Sequence, residues 1–161
     1  MKSKRPEGFS LIELLIVVAI IGIISAVAIP NLLASRRAAN EGSAQSSIRT
    51  IYSAQLTYVV TAGNGAFAAD LASLYAQRYV DTVLNTGNKS GYSFAIVGQG
   101  GTGNTAVFGA KGIPQITAAG VSQSGTRRFG ITQEGVMRGD TTIGTDPNTR
   151  ALIEGMGALG Q

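Results

Sequence analysis

The chain has 161 residues, 44% hydrophobic and only 14% charged, with a formal net charge of +4 and neither histidine nor cysteine. These absences exclude a disulfide framework, thiolate metal sites and the commonest general bases and nucleophiles. The charge points to no partner: Lys2, Lys4 and Arg5 stand against Glu7 in a short leader, and the ten basic and eight acidic residues that follow carry too weak an excess to suggest nucleic acid.

Behind the leader the chain reads Gly8-Phe9-Ser10-Leu11-Ile12-Glu13, and from Leu14 to Ser35 no residue is charged. As a helix this run is about 33 Å long, enough to cross a bilayer core of about 30 Å. An ordinary secretory signal has a shorter apolar run with a small-residue cleavage site behind it. A single-pass anchor fits the length and the basic flank but leaves Glu13 without a purpose. A carboxylate in a membrane helix costs about 2.5–3.5 kcal/mol even on a lenient insertion scale, so it marks a function or has a partner.

A third reading uses every one of these residues. The segment from Gly8 to Glu13, with the apolar run behind it, resembles the N-terminal signal of the bacterial type IV pilin and pseudopilin family. The resemblance implies that a membrane peptidase cuts after Gly8 and methylates the new amine of Phe9. Glu13 becomes the fifth mature residue and pairs with the cationic Phe9 amine of a neighbouring subunit, an attraction strengthened by a low-dielectric filament core. Gly22 and Pro30 match positions where the family's helix kinks or melts on packing into a filament; both are also tolerated in a plain membrane helix.

The domains expected are a cleaved leader (1–8), a transmembrane and filament-core half-helix (9–35), an amphipathic half-helix (36–61) and a globular head (62–161). The implied partners are a homopolymeric pilus, the prepilin peptidase and methyltransferase, the inner-membrane assembly machinery and the inner membrane itself, with the pilus ending on the cell surface. No cofactor, metal or catalytic residue is expected, and nucleic acid is not. Two alternatives remain: a pseudopilin of a type II secretion system, and a membrane-anchored binding protein that never polymerises.

Arg36-Arg37 reads either as a solvated collar just outside the membrane or as a lipid or DNA contact. Beyond it, Ile48, Ile51, Tyr52, Gln55, Leu56 and Val59 form one helical stripe. A single long helix is expected from Phe9 to Thr61, ended by Gly63-Asn64-Gly65. Asp70 can cap a short helix carrying Leu71, Leu74 and Tyr75, followed by an apolar cluster of Tyr79, Val80, Val83 and Leu84. From Tyr92 the period becomes two, with Tyr92, Phe94 and Ile96 on one face. Gly98 to Asn104 is expected to turn into a strand from Thr105 to Ala110. Arg127–Thr132 and Val136–Arg138 supply two more strands about the Glu134-Gly135 turn.

This order resembles the sheet region of pilin-like proteins and gives an α+β fold, a long N-terminal helix with its distal half packed on a small antiparallel sheet. The tail from Asp140 to Gln161 has no assigned role, although Asp146-Pro147 can cap a short helix through Leu152 and Ile153. Asp140 and Asp146 are candidate calcium ligands of the pseudopilin kind, with ordinary surface carboxylates the preferred reading. The glycines from Gly98 to Gly101 open no helix and are not a dinucleotide loop. Tyr52, Tyr58, Phe94, Phe108 and Phe129 read as core rather than as an electron path. Arg127-Arg128 reads as an exposed strand edge rather than a DNA-uptake patch, and Asn88-Lys89-Ser90 spells a glycosylation acceptor left unassigned.

Overall fold

A computed structural model describes residues 8–159. The basic leader from Met1 to Glu7 lies outside the described residues. The chain divides into two compact units, one ending at Ser35 and the other beginning at Arg36.

Helix α1, Leu11–Val60, contributes to both units. In the first unit it is apolar on every side rather than along one stripe, and an 18-residue window reaches a mean hydropathy of 2.9 with nothing buried. A helix apolar all round is either enclosed by a large protein or sits in a membrane. Pro30 has no N–H to offer the carbonyl of Ala26, yet α1 is unbroken there and at Gly22. The side chain of Asn31 donates to the Val27 carbonyl at 3.0 Å, adding a bond beside the missing one.

In the second unit α1 buries Ala44, Ser47, Ile48, Ile51, Ala54 and Gln55. Leu56, expected on this stripe, is instead 41% exposed, because at about 100° per residue it lies well off the line through Ile48, Ile51 and Gln55. Small Ala44, Ser47 and Ala54 take the contact face and let the sheet approach closely. Gln55 is fully buried. Its amide donates to the Ala68 carbonyl at 3.0 Å and accepts from the Ala68 N–H at 2.8 Å, tying the loop after the helix to the core. The helix ends where the glycines require it. Gly63 N–H donates to the Tyr58 carbonyl at 2.8 Å and Gly65 N–H to that of Val59 at 3.0 Å, with Gly65 at φ 84°.

Two short capped helices follow. Asp70 accepts from the Ser73 N–H at the start of α2, Leu71–Ala76, and Asp81 accepts from the Leu84 N–H at the start of α3, Thr82–Asn85. Leu71, Leu74, Val80 and Leu84 are buried, while Tyr75 and Val83 are exposed. The sheet is an antiparallel meander in the order β1 (Asn88–Lys89), β2 (Tyr92–Gly100), β3 (Val107–Pro114), β4 (Arg128–Thr132) and β5 (Met137–Asp140). The brief β1 was not foreseen. Strand β3 runs to Pro114 rather than stopping at Ala110, because Pro114 is its last residue, past the point where pairing with β4 ends at Gly112. Alternate residues Tyr92, Phe94, Phe108, Ala110, Phe129, Ile131 and Met137 join Ile48 and Ile51 in one core.

The other face of the sheet is buried as well, and the tail without an assigned role is what covers it. Helix α4, Arg150–Glu154, is capped by Thr149 rather than by Asp146 and drives Ile153 fully into the sheet. It fits because Gly130 and Gly109 face it: a Cβ there would come within 2.6 and 2.9 Å of Ile153 side-chain carbons. Gly139 N–H donates to the Gly157 carbonyl and Leu159 N–H to the Met137 carbonyl, both at 2.8 Å, so the tail also closes the β5 edge. Replacing Ile153 by alanine is expected to destabilise the head by about 2–5 kcal/mol. The same change at Leu152, which is 50% exposed, is expected to cost no more than about 0.5 kcal/mol. Urea unfolding of the detergent-solubilised protein measures both.

Candidate functional site

Gly8, Phe9 and Ser10 precede the first turn of α1 in irregular, exposed backbone, and Phe9 is 82% exposed. Ser10 takes the N-cap position, and Glu13 stands in the first turn. The carboxylate of Glu13 reaches back to accept the Ser10 N–H at 3.0 Å. This is the returning half of a capping box, and the Ser10-Leu11-Ile12-Glu13 spacing is its sequence signature. From the sequence Glu13 reads either as a group awaiting another subunit's amine or as an interfacial carboxylate facing lipid headgroups; the fold shows a local partner too. That partner is a dipole and not a charge. Among the described residues no cation lies within 4 Å of Glu13.

Around this carboxylate the surface is apolar. The large aliphatic side chains from Leu11 to Leu32 are each 47–78% exposed. A Cβ added at Gly22 would meet nothing within 4 Å, so no packing inside the chain demands glycine there. The sequence-predicted residues thus fall along one helical segment: Gly8 and Phe9 before it, Glu13 in its first turn, Gly22 and Pro30 farther along.

The other candidates resolve differently. Arg128 is not an exposed strand edge: it is 8% exposed, and its Nε and Nη2 donate to the two oxygens of Asp140 at 2.6 and 2.8 Å. Its Nη1 donates to the Thr145 carbonyl at 2.6 Å. Strand alternation places Arg128 on the face that the tail covers, a layer that strand patterning does not reveal. Asp146 pairs with the buried Lys111. Both carboxylates considered for calcium therefore neutralise cations on the outer sheet face, and among the described residues no three potential ligands cluster. Hydrogen bonds from Arg128 hold the Asp140 carboxyl below its usual range, against a smaller opposing effect of burial. The aromatics pack against one another in the core, with Phe67 tilted against Phe108 at 4.5 Å and Tyr92 stacked on Phe129 at 5.9 Å.

Comparison with known proteins agrees with the N-terminal geometry. Residues 3–29 match the family described as the prokaryotic N-terminal methylation motif. By this segment the chain is similar to the type IV pilins. It is 44% identical over 54 residues to the type IV major pilin protein PilA of Myxococcus xanthus, covering 34% of this chain and 24% of that one. It is 38% identical over 82 residues to the type IV wide pilus major component PilA4 of Thermus thermophilus, covering 51% of this chain and 61% of that one. The chain therefore spans about a quarter and three fifths of the pilins it matches. No solved structure matches it.

The second unit carries a pH dependence to which the Arg128–Asp140 pair contributes, beside Asp70 and Asp81, whose carboxyls are also held low by hydrogen bonds at their helix caps. A carboxyl held low in the folded state contributes stability that is fully present above its unfolded pKa and lost as pH falls through the folded one. Melting temperature is expected to drop as pH is lowered below about 4. Asp140→Asn is expected to flatten that acid limb while lowering stability at pH 7. Circular dichroism melts between pH 2.5 and 7 check both signs.

Proposed function

We propose that this protein is a structural subunit of a type IV pilus, cleaved after Gly8, N-methylated at Phe9 and polymerised through residues 9–35. The observation that carries this reading is the juxtaposition of Glu13, without a charged partner among the described residues, and an apolar helix exposed on every side. In the precursor that helix sits in the inner membrane. In the fibre, neighbouring copies of the same helix replace lipid, and the cationic Phe9 amine of one subunit neutralises Glu13 of another. At about 4 Å and an effective dielectric near 20 such a pair is worth about 4 kcal/mol before desolvation. Because the amine and the carboxylate lie at different positions on each copy, the contact is heterologous and does not close on itself, which produces a fibre rather than a dimer.

Gly22 and Pro30 serve the packed state, where a smooth surface and a local kink or melt admit a neighbouring helix. Residues 36–61 and 62–161 form the head presented outside the membrane, and no catalytic role is assigned to any residue. The processing peptidase, the methyltransferase and the inner-membrane assembly machinery are the partners this route requires. The names of the Myxococcus and Thermus relatives, both major pilus components, support the major-subunit reading.

Two measurements test it. Mass spectrometry of the mature protein is expected to find Phe9 at the N-terminus, one methyl group heavier than its sequence; a chain still beginning at Met1 sinks the proposal. Glu13→Val is expected to abolish surface filaments by electron microscopy while the protein remains in the membrane. Filaments persisting in that variant would show that assembly does not depend on Glu13. A wild-type protein that is processed but never extends beyond the cell surface would favour the type II secretion pseudopilin.

A further inference from the structure

Ten cations lie among the described residues, and the five carboxylate pairs account for Lys89, Lys111, Arg128, Arg138 and Arg150. The other five, Arg36, Arg37, Arg49, Arg78 and Arg127, have no carboxylate within 4 Å among the described residues. Among the described residues no carboxylate is left over to pair with them. The carboxylates outside ion pairs, Glu13, Glu41 and Asp70, each already accept a backbone N–H.

Three of the five unpaired arginines belong to one end of the head. Glu41 Oε1 accepts both the N–H and the hydroxyl of Thr126 at 2.7 Å, which fixes the residue next to Arg127 against α1. Asn40 holds the same loop through the Ser124 carbonyl at 2.9 Å. Arg37 precedes Glu41 by one helical turn and so shares its face, and Arg36 is adjacent. The Nε of Arg37 is buried and makes no hydrogen bond among the described residues. In the sequence this end of the head follows directly on Ser35, the last residue of the uncharged run. Arg49 lies thirteen residues beyond Arg36, about 20 Å along a helix, and belongs to a different region.

We propose that Arg36, Arg37 and Arg127 form a collar that binds the phosphate headgroups of anionic lipids in the leaflet where the apolar run ends. Guanidinium groups suit this partner, since each offers a planar fork of donors to a phosphate. The inference rests on the reading that the run up to Ser35 lies in the membrane before assembly. It does not require cleavage or polymerisation. The collar sets three cations without a carboxylate partner among the described residues next to the end of the apolar run, opposing the usual bias of positive charge towards the cytoplasmic side. A lipid phosphate offsets that placement.

The test uses the full chain with Lys2, Lys4 and Arg5 changed to glutamine in every arm, so that the leader contributes nothing. In detergent micelles, the affinity for added phosphatidylglycerol is compared with that for phosphatidylcholine by native mass spectrometry. Each basic residue at an anionic surface is worth about a fivefold change. Arg36→Gln, Arg37→Gln and Arg127→Gln together are therefore expected to erase a preference for phosphatidylglycerol of about a hundredfold. Arg49→Gln with Arg78→Gln is expected to leave it intact, and unchanged circular dichroism melts confirm that both variants fold. The proposal is overturned if the intact collar shows no preference, if the triple variant keeps it, or if millimolar inorganic phosphate displaces the lipid completely and so identifies a soluble anion as the ligand. Failure to enter liposomes in a flotation assay would instead overturn the membrane reading beneath it.

Discussion

The first unit of this protein cannot satisfy its own surface. Fourteen large aliphatic side chains between Leu11 and Leu32 stand exposed, and enclosing them is worth on the order of 20–40 kcal/mol at about 1.5–3 kcal/mol each. No folding of a single helix recovers that, because a helix apolar all round has no side to turn inward. Enclosure has to come from lipid or from other copies. Glu13 then discriminates between the two, since a lone carboxylate tolerates lipid poorly and an interface that supplies a positive charge well. The Ser10 N–H lowers the cost of placing that carboxylate in lipid without matching an ion pair, and the difference is the driving force on which the proposed transfer from bilayer to fibre rests.

The second unit is the opposite case. Its sheet is covered on one face by α1 and on the other by the segment from Asp140 to Leu159. Without cysteine, that covering layer is fastened by charge and shape. Arg128 grips Asp140 and the Thr145 carbonyl, Lys111 holds Asp146, and Ile153 drops into the space that Gly109 and Gly130 leave open. Each cation is almost fully buried while its carboxylate partner keeps some contact with water. That asymmetry limits the desolvation that makes fully buried pairs costly. Breaking the pair from the acid side strands a buried guanidinium, so the clasp is stronger against loss of Asp140 than a count of surface ion pairs suggests.

Legibility in the sequence followed physical range. Period and length are local, so the apolar run, the stripe about Ile48 and Ile51, the Asp70 cap and the strand starting at Tyr92 were all readable from neighbours in the chain. The spacing of Gly8, Phe9 and Glu13 is specific enough to suggest the proposed processing signal without any fold, and the match over residues 3–29 covers the same segment. What could not be read is what depends on a distant layer. Arg128 looks like a solvated edge until the tail is folded over it, and Asp140 and Asp146 look like loop acids until their cations arrive from β3 and β4. Gly109 and Gly130 read as weak points in strands, although isolated strand glycines are a recognised mark of close approach. The capping signature from Ser10 to Glu13 was present but eclipsed by the more specific motif that shares its glutamate.

The two units also divide what a single chain can explain. Gly63, Gly109, Gly125 and Gly130 each face an atom that a Cβ would strike, so their identity is accounted for inside the subunit. Gly22 and Gly42 face nothing within 4 Å on the same helix, and mid-helix glycine costs about 1 kcal/mol relative to alanine. Pro30 costs more, about 3 kcal/mol, again with no compensating contact beyond the Asn31 bond. Residues that weaken a helix while gaining nothing from their own chain carry their reason elsewhere. In the filament proposed above, a neighbouring helix laid against Gly22 approaches closer than it would against any larger residue, which is the reason the subunit alone does not supply.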